Sequence, residues 1–251
     1  MHFLGHSTIR MRLGGHVVLS DPVLTATVGG LRRVIPPPDP RLWRDAELVL
    51  ISHLHGDHLH LPSLRLLDPG VRIVVPHGAG EWLRHKGFRA VTELGVGERI
   101  EHGGLTVTGV RAVHSGHRWG PRCTAGPDAP ALGHLLEADG ERIYLAGDTD
   151  LYPEMAELAP VHTAALPVWG WGPNLGPGHL DPERAARAAE LLRARCAVPV
   201  HWGTLAVPLL ARTARMRRLL VDPPRRFAAA VAEAGLRTRV LLTEPGAEVA
   251  G

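Results

Sequence analysis

Four side chains that can bind metal ions stand within six residues, in the segment ISHLHGDHL. They are His53, His55, Asp57 and His58. Imidazole and carboxylate groups are costly to bury without partners, and a surface loop has no structural reason to gather three histidines around one aspartate. Two metal ions held side by side would provide such a reason. The motif therefore predicts the metal centre of a hydrolase.

Three further candidate ligands follow apolar segments that are typical of strands. His114 ends GLTVTGVRAVH, Asp148 follows ERIYLAG, and His201 follows CAVPV. Because ligands gather beyond strand ends in layered α/β proteins, these side chains can meet the first cluster at one site. We favour His114 over His117 because it directly ends the apolar strand. The structural alternatives are histidines that pack at strand ends and an aspartate that bonds to its own turn.

The elements that position these residues follow from hydrophobic periodicity and turn residues. Hairpins are predicted across Gly14-Gly15 and across Asp139-Gly140. The segment ELVLIS at 47–52 is apolar throughout, as in a strand that is covered on both faces. The remaining expectations that matter below are a loop over 22–40, two helices over roughly 204–221 and 224–234, and a last strand at TRVLLTE.

Length and composition limit the class of protein. The chain has 251 residues, enough for one large α/β domain and too few for two comfortable ones. No run approaches the roughly 18 consecutive apolar residues of a membrane helix, and the first residues lack the pattern of a secretory signal. Two cysteines do not make a disulfide framework. We expect a single domain over 1–251 in the cytoplasm; the oligomeric state is not specified.

The positive charge of the chain is almost entirely arginine. The formal net charge is +3, and the arginines are scattered along most of the sequence. A denser patch is either a solvated helical face or a contact for an anionic substrate or an acidic surface. Its members are Arg212, Arg215, Arg217, Arg218, Arg225 and Arg226.

Taken in order, the motifs resemble those of the metallo-β-lactamase fold superfamily. HLHGDH is followed by a lone histidine, by an aspartate in GDT and by a histidine after an apolar strand. GHSTIRM, LSDPVL, LAGDTDLYPEM, GPGHLDPERA and PVHWGT are similar to one branch of it, which contains N-acylphosphatidylethanolamine-hydrolysing phospholipase D and bacterial ascorbate-6-phosphate lactonase. The resemblance spans nearly the whole chain and implies an α/β fold, a four-layer αββα sandwich with the metals at one edge.

The resemblance also implies how the ligands are divided between two divalent ions. His53, His55 and His114 would hold the first ion, Asp57, His58 and His201 the second, and Asp148 would bridge them. None of these seven positions is substituted. Three neutral imidazoles suit zinc, which we expect, and a site with an added carboxylate also suits manganese or iron.

Asp57 and His179 are the candidate catalytic residues. Two cations about 3.5–4 Å apart bring the pKa of a shared water near 7, so a metal-bound hydroxide would attack a carbonyl or phosphoryl centre. We expect Asp57 to orient this nucleophile. His179 precedes a helix N-terminus, whose positive end favours neutral imidazole, and would protonate the leaving group. The matching HxDP position of the family carries a catalytically relevant histidine. The structural alternative is a hydrogen-bonding role at the helix entry.

Several other residues have two possible roles each. Asp21 either accepts a proton from a ligand histidine or is a turn aspartate before Pro22. His6 either supports the ligands or is a buried hydrogen-bonding residue. Four tryptophans either line an apolar substrate cleft or belong to the core: Trp119, Trp169, Trp171 and Trp202.

The leading hypothesis is a dinuclear metal-dependent hydrolase of a small ester, lactone, amide or phosphodiester. The fold carries many reactions, so it specifies only a small-molecule substrate. A metal-dependent nuclease is one alternative, but the nucleases known in the superfamily carry an extra domain or arm that has no room here. We therefore do not expect a nucleic-acid partner. A non-catalytic metal-binding protein is the other alternative.

Overall fold

Two large β-sheets form the centre of the protein. A computed structural model describes residues 1–118, 126–170 and 176–250. The first sheet contains six strands, in spatial order β1 (His2–Gly5), β2 (Thr8–Leu13), β3 (His16–Ser20), β6 (Leu48–Leu50), β7 (Arg72–Pro76) and β8 (Val91–Leu94). The second contains seven, in spatial order β16 (Arg239–Val240), β14 (Cys196–Val200), β13 (Thr163–Pro167), β12 (Glu141–Leu145), β11 (Leu132–Ala138), β10 (Leu105–Arg111) and β9 (Arg99–His102).

Shorter elements complete the described part of the chain. A small third sheet has the spatial order β15 (Leu205–Ala206), β5 (Leu31–Arg33) and β4 (Thr27–Val28). The α-helices are α1 (Leu61–Leu64), α2 (Gly80–His85), α3 (Pro182–Leu191) and α4 (Ala214–Glu233). Two 3₁₀ helices cover Pro40–Leu42 and Pro153–Leu158. No helix of the described ranges combines the length and the apolar character that crossing a bilayer requires.

The buried clusters define four layers in the order helix, sheet, sheet, helix. Leu48 on the first sheet and Leu136 on the second belong to one buried cluster between the sheets, which also includes Phe227 of α4. The opposite face of the first sheet packs against α1 and α2 in a separate cluster that contains Ile73 and Leu83. Helix α3 packs on β13 and on α4. The predicted αββα sandwich is therefore confirmed.

Both predicted hairpins are present. Met11 pairs with Val18 across the first turn, and Leu136 pairs with Ile143 across the second. The apolar segment 47–52 contains β6, which lies between two parallel neighbours. Strands β1, β8 and β9 were not predicted.

The C-terminal helices and the loop over 22–40 differ from the predictions. A single helix, α4, replaces the two expected over 204–221 and 224–234, and it continues through Pro223 and Pro224. An interior proline costs a helix about 3 kcal/mol, but both prolines are buried here, and tertiary packing overrides local propensity. The loop contains β4 and β5. These strands are too short to show an alternation of apolar and polar residues. The last strand is limited to Arg239–Val240.

Leu136 tests the packing between the sheets, because its side chain is 0% exposed. We expect Leu136→Ala to lower the free energy of unfolding by about 2–5 kcal/mol, from lost burial and a residual cavity. Urea unfolding at constant metal concentration measures this change. Leu66→Ala is the matched control, because Leu66 is 49% exposed and its loss should have little effect. Equal destabilisation by both substitutions would contradict the packing described above.

Candidate metal centre

The predicted ligands converge because the strands that carry them end at the same edge of the sandwich. His53 follows β6, Asp148 follows β12 and His201 follows β14, and these strands run parallel to their partners β3 and β13. A tight approach brings the two sheets together here. Gly147 has a φ of +61°, and a Cβ at this position would lie 2.5 Å from Cβ of Ser52. Only glycine therefore fits immediately before Asp148.

His53, His55 and His114 form the first group of donors. Their ligand-type nitrogens all lie within 4.8 Å of one another. Nδ1 of His55 is 3.0 Å from Nε2 of His53 and 3.1 Å from Nε2 of His114. Burial lowers the pKa of each imidazole, to about 4 for His114. The three rings are therefore neutral near pH 7, which is the form that binds a metal ion.

Asp57, His58 and His201 form a second group, and His6 joins them. Nε2 of His6 is 3.0 Å from Oδ2 of Asp57. Nε2 of His201 is 3.9 Å from the same oxygen. Burial by itself raises the pKa of Asp57, but the hydrogen bond from His6 and the imidazoles of His58 and His201 outweigh it and hold that pKa well below its ordinary value.

Asp148 lies between the two groups. Its Oδ2 is 3.4 Å from Nε2 of His58, 3.3 Å from Nε2 of His201 and 4.0 Å from Nε2 of His114. Burial lowers the pKa values of His58 and His201, but nearby carboxylates outweigh burial and raise both. Asp148 contributes most to each rise, together with Asp21 at His58 and Asp57 at His201. The field of the Asp148 carboxylate therefore favours positive charge at the second group.

A buried network anchored by Asp21 orients two of these histidines. Nδ1 of His58 donates to Oδ2 of Asp21 at 2.8 Å. The hydroxyl of Ser52 donates to the same oxygen at 2.7 Å and lies 2.9 Å from Nδ1 of His53, from which it accepts. These bonds place a proton on Nδ1 of each ring and direct Nε2 of each ring at the centre. Asp21 thus has the supporting role rather than that of a simple turn residue.

Backbone carbonyl groups orient two further rings. Nδ1 of His114 donates to the carbonyl oxygen of Gly178 at 2.6 Å. Nδ1 of His201 donates to that of Trp169 at 2.5 Å. As with His53 and His58, Nε2 remains directed at the centre. Among the five histidines of the two donor groups predicted from the sequence, His55 is the one that directs Nδ1 at the centre.

The backbone is strained where it enters the site. Positive φ angles occur at five non-glycine residues of the described chain, and three of these belong to this region: His6 at 56°, Asp21 at 38° and His201 at 63°. Such conformations cost about 1–3 kcal/mol each and persist where surrounding contacts hold them. The hydrogen bond from the backbone N–H of His6 to the hydroxyl of Thr204, at 2.7 Å, is one such contact.

His179 lies beside the centre on the segment that leads into α3. Its Nε2 is 3.8 Å from Oδ2 of Asp148, and its ring centroid is 4.7 Å from that of His114. The preceding residue, Gly178, accepts from His114 and donates its N–H to Asp150 at 3.1 Å. Asp150 in turn forms an ion pair with Arg184 of α3. These contacts hold His179 at the edge of the centre.

The other candidate residues have different positions. Trp202 packs in the core against Phe3, and its indole N–H donates to the carbonyl of Pro199. Trp169 is buried and lines a cavity next to His179. His117 belongs to none of the donor clusters of the described residues. Trp119 and Trp171 lie outside the described residues.

Several supporting residues were missed from the sequence. Each of the following groups forms a hydrogen bond, described above, that positions the site: the hydroxyls of Ser52 and Thr204, the carboxylate of Asp150 and the carbonyl of Gly178. The position of Ser52 directly before His53, at the end of an apolar strand, was a usable signal. The others act through contacts between segments that are distant in sequence, for which no local pattern exists.

The donor set fits divalent cations. Oδ1 of Asp148 and Nε2 of His58 are buried and accept no hydrogen bond from a described residue. Buried polar atoms are normally paired, so these two atoms require an explanation. Both are ligand types for zinc, and nitrogens bound to a tetrahedral zinc would lie about 3.3 Å apart, near the separations in the first group.

Comparison with known proteins identifies the family of the chain. The chain matches the family model of the Beta-lactamase superfamily domain over residues 16–202. It is 30% identical over 247 residues to a metal-dependent hydrolase of Methanopyrus kandleri, covering 97% of this chain and 96% of that protein. A metallo hydrolase structure from the archaeon Ignicoccus hospitalis matches with a TM-score of 0.71 and 25% identity, covering 98% of this chain and 95% of that one.

A second relative has a more specific name. N-acyl-phosphatidylethanolamine-hydrolyzing phospholipase D 1 of Caenorhabditis elegans is 29% identical over 227 residues, covering 80% of this chain and 63% of that protein.

The match to the family model shows that the chain belongs to the β-lactamase superfamily, with the metallo-β-lactamase fold. By class it is a metal-dependent hydrolase.

Asp21 provides a test of the supporting network that does not depend on activity. We expect Asp21→Asn to weaken metal binding about 10- to 100-fold, because the amide cannot accept equally from His58 and Ser52. Competition with a chelating dye measures the affinity, and circular dichroism checks the fold. Asp45→Asn is the control, since Asp45 is an exposed carboxylate that pairs with Arg10. Unchanged affinity in Asp21→Asn would remove the orienting role of Asp21.

Proposed function

We propose that the protein hydrolyses a small ester, lactone, amide or phosphodiester at a centre of two divalent metal ions. The position of the Asp148 carboxylate between two groups of donors is the observation that carries this proposal. A carboxylate in this position is suited to bridge two cations. Membership of the family supports hydrolysis as the reaction. The substrate and the number of metal ions are part of the proposal.

In this proposal, His53, His55 and His114 hold one ion, and Asp57, His58 and His201 hold the other. We expect zinc, because neutral imidazoles dominate the donor set; manganese or iron also suits the group that includes Asp57. When bound, the two cations supply Lewis acidity and lower the pKa of water. His6 supports Asp57 through their hydrogen bond.

Asp57 is the residue that we propose orients the attacking water. Oδ2 accepts a hydrogen bond from Nε2 of His6, which fixes the plane of the carboxylate. The side chain of Asp57 is 14% exposed, against 4% for Asp148, so water reaches this carboxylate more readily. The depressed pKa keeps Asp57 ionised near neutral pH. We assign the other oxygen, Oδ1, to accept a hydrogen bond from the water and so orient it for attack.

His179 is the proposed proton donor to the leaving group. Its side chain is 25% exposed, unlike the buried ring of His201, and Nε2 points toward Asp148 at 3.8 Å. A group placed there can reach both the centre and a substrate that enters from solvent. General acid catalysis of this kind contributes about 10²–10⁴-fold to the rate.

The name of one relative bears on the substrate class. The phospholipase D of Caenorhabditis elegans is named for hydrolysis of N-acyl-phosphatidylethanolamine. That name keeps a phosphodiester among the proposed substrates beside carboxylic esters and lactones.

Metal analysis together with a substrate panel tests the proposal as a whole. Protein purified without chelator should contain two equivalents of a divalent metal per chain. It should hydrolyse p-nitrophenyl esters or bis-p-nitrophenyl phosphate, and chelation should abolish turnover until the metal is restored. Full metal loading without turnover on any member of the panel would favour a binding role instead.

Substitutions of Asp57 test its role in orienting the attacking water. We expect Asp57→Ala and Asp57→Asn to lower kcat about 10²-fold or more with a smaller change in KM, because the orientation of the attacking water matters in the transition state. Metal content is measured beside the rates, so that loss of an ion is recognised. Asp45→Ala serves as the exposed-carboxylate control. Normal turnover of Asp57→Ala would end the assignment.

Leaving-group dependence tests His179. We expect His179→Ala to retain both ions and to lose about 10²–10⁴-fold in kcat on alkyl esters, whose alkoxide must be protonated as it departs. p-Nitrophenyl esters should be nearly unaffected, because p-nitrophenolate departs without a proton. His77→Ala is the control, since that side chain is 61% exposed. Equal losses on both ester types, or none on either, would refute the role.

A further inference from the structure

A cavity of about 420 Å³ lies against the candidate metal centre. The segment that carries His179, the strand exit at Trp169, and helices α3 and α4 form its walls. This volume is within the range of small-molecule sites. Four arginines and two aspartates supply its charged groups, namely Arg184, Arg215, Arg218, Arg226, Asp181 and Asp222.

Two residues that line this cavity also belong to the candidate metal centre. His179 lines the cavity, and its Nε2 lies 3.8 Å from Oδ2 of Asp148. Trp169 also lines it, and its carbonyl oxygen holds Nδ1 of His201. A molecule in the cavity is therefore next to the proposed proton donor and to a backbone segment that orients a ligand. This arrangement is expected of the pocket that holds the non-reacting part of a substrate.

Two of the four arginines are already neutralised. Arg184 forms an ion pair with Asp150, and Arg226 donates to Glu183 at 2.7 Å. Arg215 and Arg218 lie on α4 and are exposed. Neither side chain has an ion pair or hydrogen bond with another residue in the part of the chain that the structure describes. Both guanidinium groups are thus available to an external anion.

The acidic residues of the cavity limit what it can bind. Asp181 is occupied as the cap of α3, where it accepts from the backbone N–H of Arg184 at 2.8 Å. Asp222 adds one negative charge on the same helix as Arg215 and Arg218. The cavity therefore suits a single anionic group at a defined position rather than a polyanion. Guanidinium groups bind carboxylate and phosphate oxygens in a forked geometry.

We propose that Arg215 and Arg218 bind an anionic group, a carboxylate or phosphate, on the substrate whose scissile bond lies beside His179. This inference rests on the proposed hydrolase function and adds a substrate class to it. The six arginines of the patch then differ in role. Arg215 and Arg218 recognise substrate, Arg226 is paired with Glu183, and Arg217 and Arg225 belong to the solvated face of α4. Arg212 precedes the helix.

A matched pair of esters tests this proposal on the metal-loaded protein. p-Nitrophenyl hemisuccinate carries a carboxylate on its acyl group, a p-nitrophenyl ester with a phosphorylated acyl chain carries a phosphate, and p-nitrophenyl butyrate carries neither. We expect the Arg215→Gln/Arg218→Gln variant to lose about 10- to 100-fold in kcat/KM on one or both anionic esters, because charge-assisted hydrogen bonds disappear. The butyrate ester should change less than about twofold. The anionic ester that loses more identifies the preferred group.

Arg217→Gln/Arg225→Gln is the control, because it removes the same charge from the same helix outside the cavity lining. It should preserve the preference for the anionic ester, which excludes a general effect of net charge. A direct binding measurement is made in parallel by calorimetry with benzenesulfonate, an anion that coordinates divalent metals weakly. The cavity variant should bind it at least tenfold more weakly than the control variant.

The outcomes separate this inference from the hydrolase proposal. Turnover with no preference for an anionic ester, or a preference that survives in Arg215→Gln/Arg218→Gln, overturns the anion pocket and leaves the hydrolase intact. Arginine-dependent binding of benzenesulfonate without turnover of any ester supports the pocket and counts against the proposed reaction. Absence of arginine-dependent binding together with absence of turnover overturns the pocket as well.

Discussion

The carboxylate of Asp21 accepts hydrogen bonds from the ring of His58 and from the hydroxyl of Ser52, which in turn holds His53. One buried acid at the end of β3 thereby sets the proton positions of two histidines from the HLHGDH motif. Burial of a carboxylate is unfavourable unless its oxygens are fully bonded, and here the partners provide those bonds. If these contacts failed, both Nε2 atoms would lose their direction toward the centre.

At this edge of the sandwich, the strands place the hydrogen-bonding partners of the donor residues. The ends of β3, β6, β12 and β14 lie together, and backbone carbonyls of Trp169 and Gly178 orient His201 and His114. The positive φ angles at His6, Asp21 and His201 show that the local backbone departs from its preferred conformation to complete the set. The packed core between the sheets stabilises the fold enough to tolerate that strain.

Helix α4 links the fold to substrate recognition. Its buried side, which includes Phe227, belongs to the core, while its exposed arginines extend to the cavity beside His179. The same helix therefore contributes to stability and to the surface that a substrate would meet. The sequence pattern identified the arginine patch but did not distinguish the members that line the cavity from those that face solvent.

The sequence by itself determined the donor types and the strand ends that carry them, because apolar runs and the spacing of HLHGDH are local signals. The αββα architecture was implied by the resemblance of the ordered motifs to those of the superfamily. The sequence did not predict the supporting roles of Ser52, Thr204 and Asp150, left the position of His6 beside Asp57 open, and divided α4 at Pro223. Those features depend on contacts between segments more than 20 residues apart or on burial that outweighs local propensity. Only packing in three dimensions, where a buried polar group must find its partner, decides them.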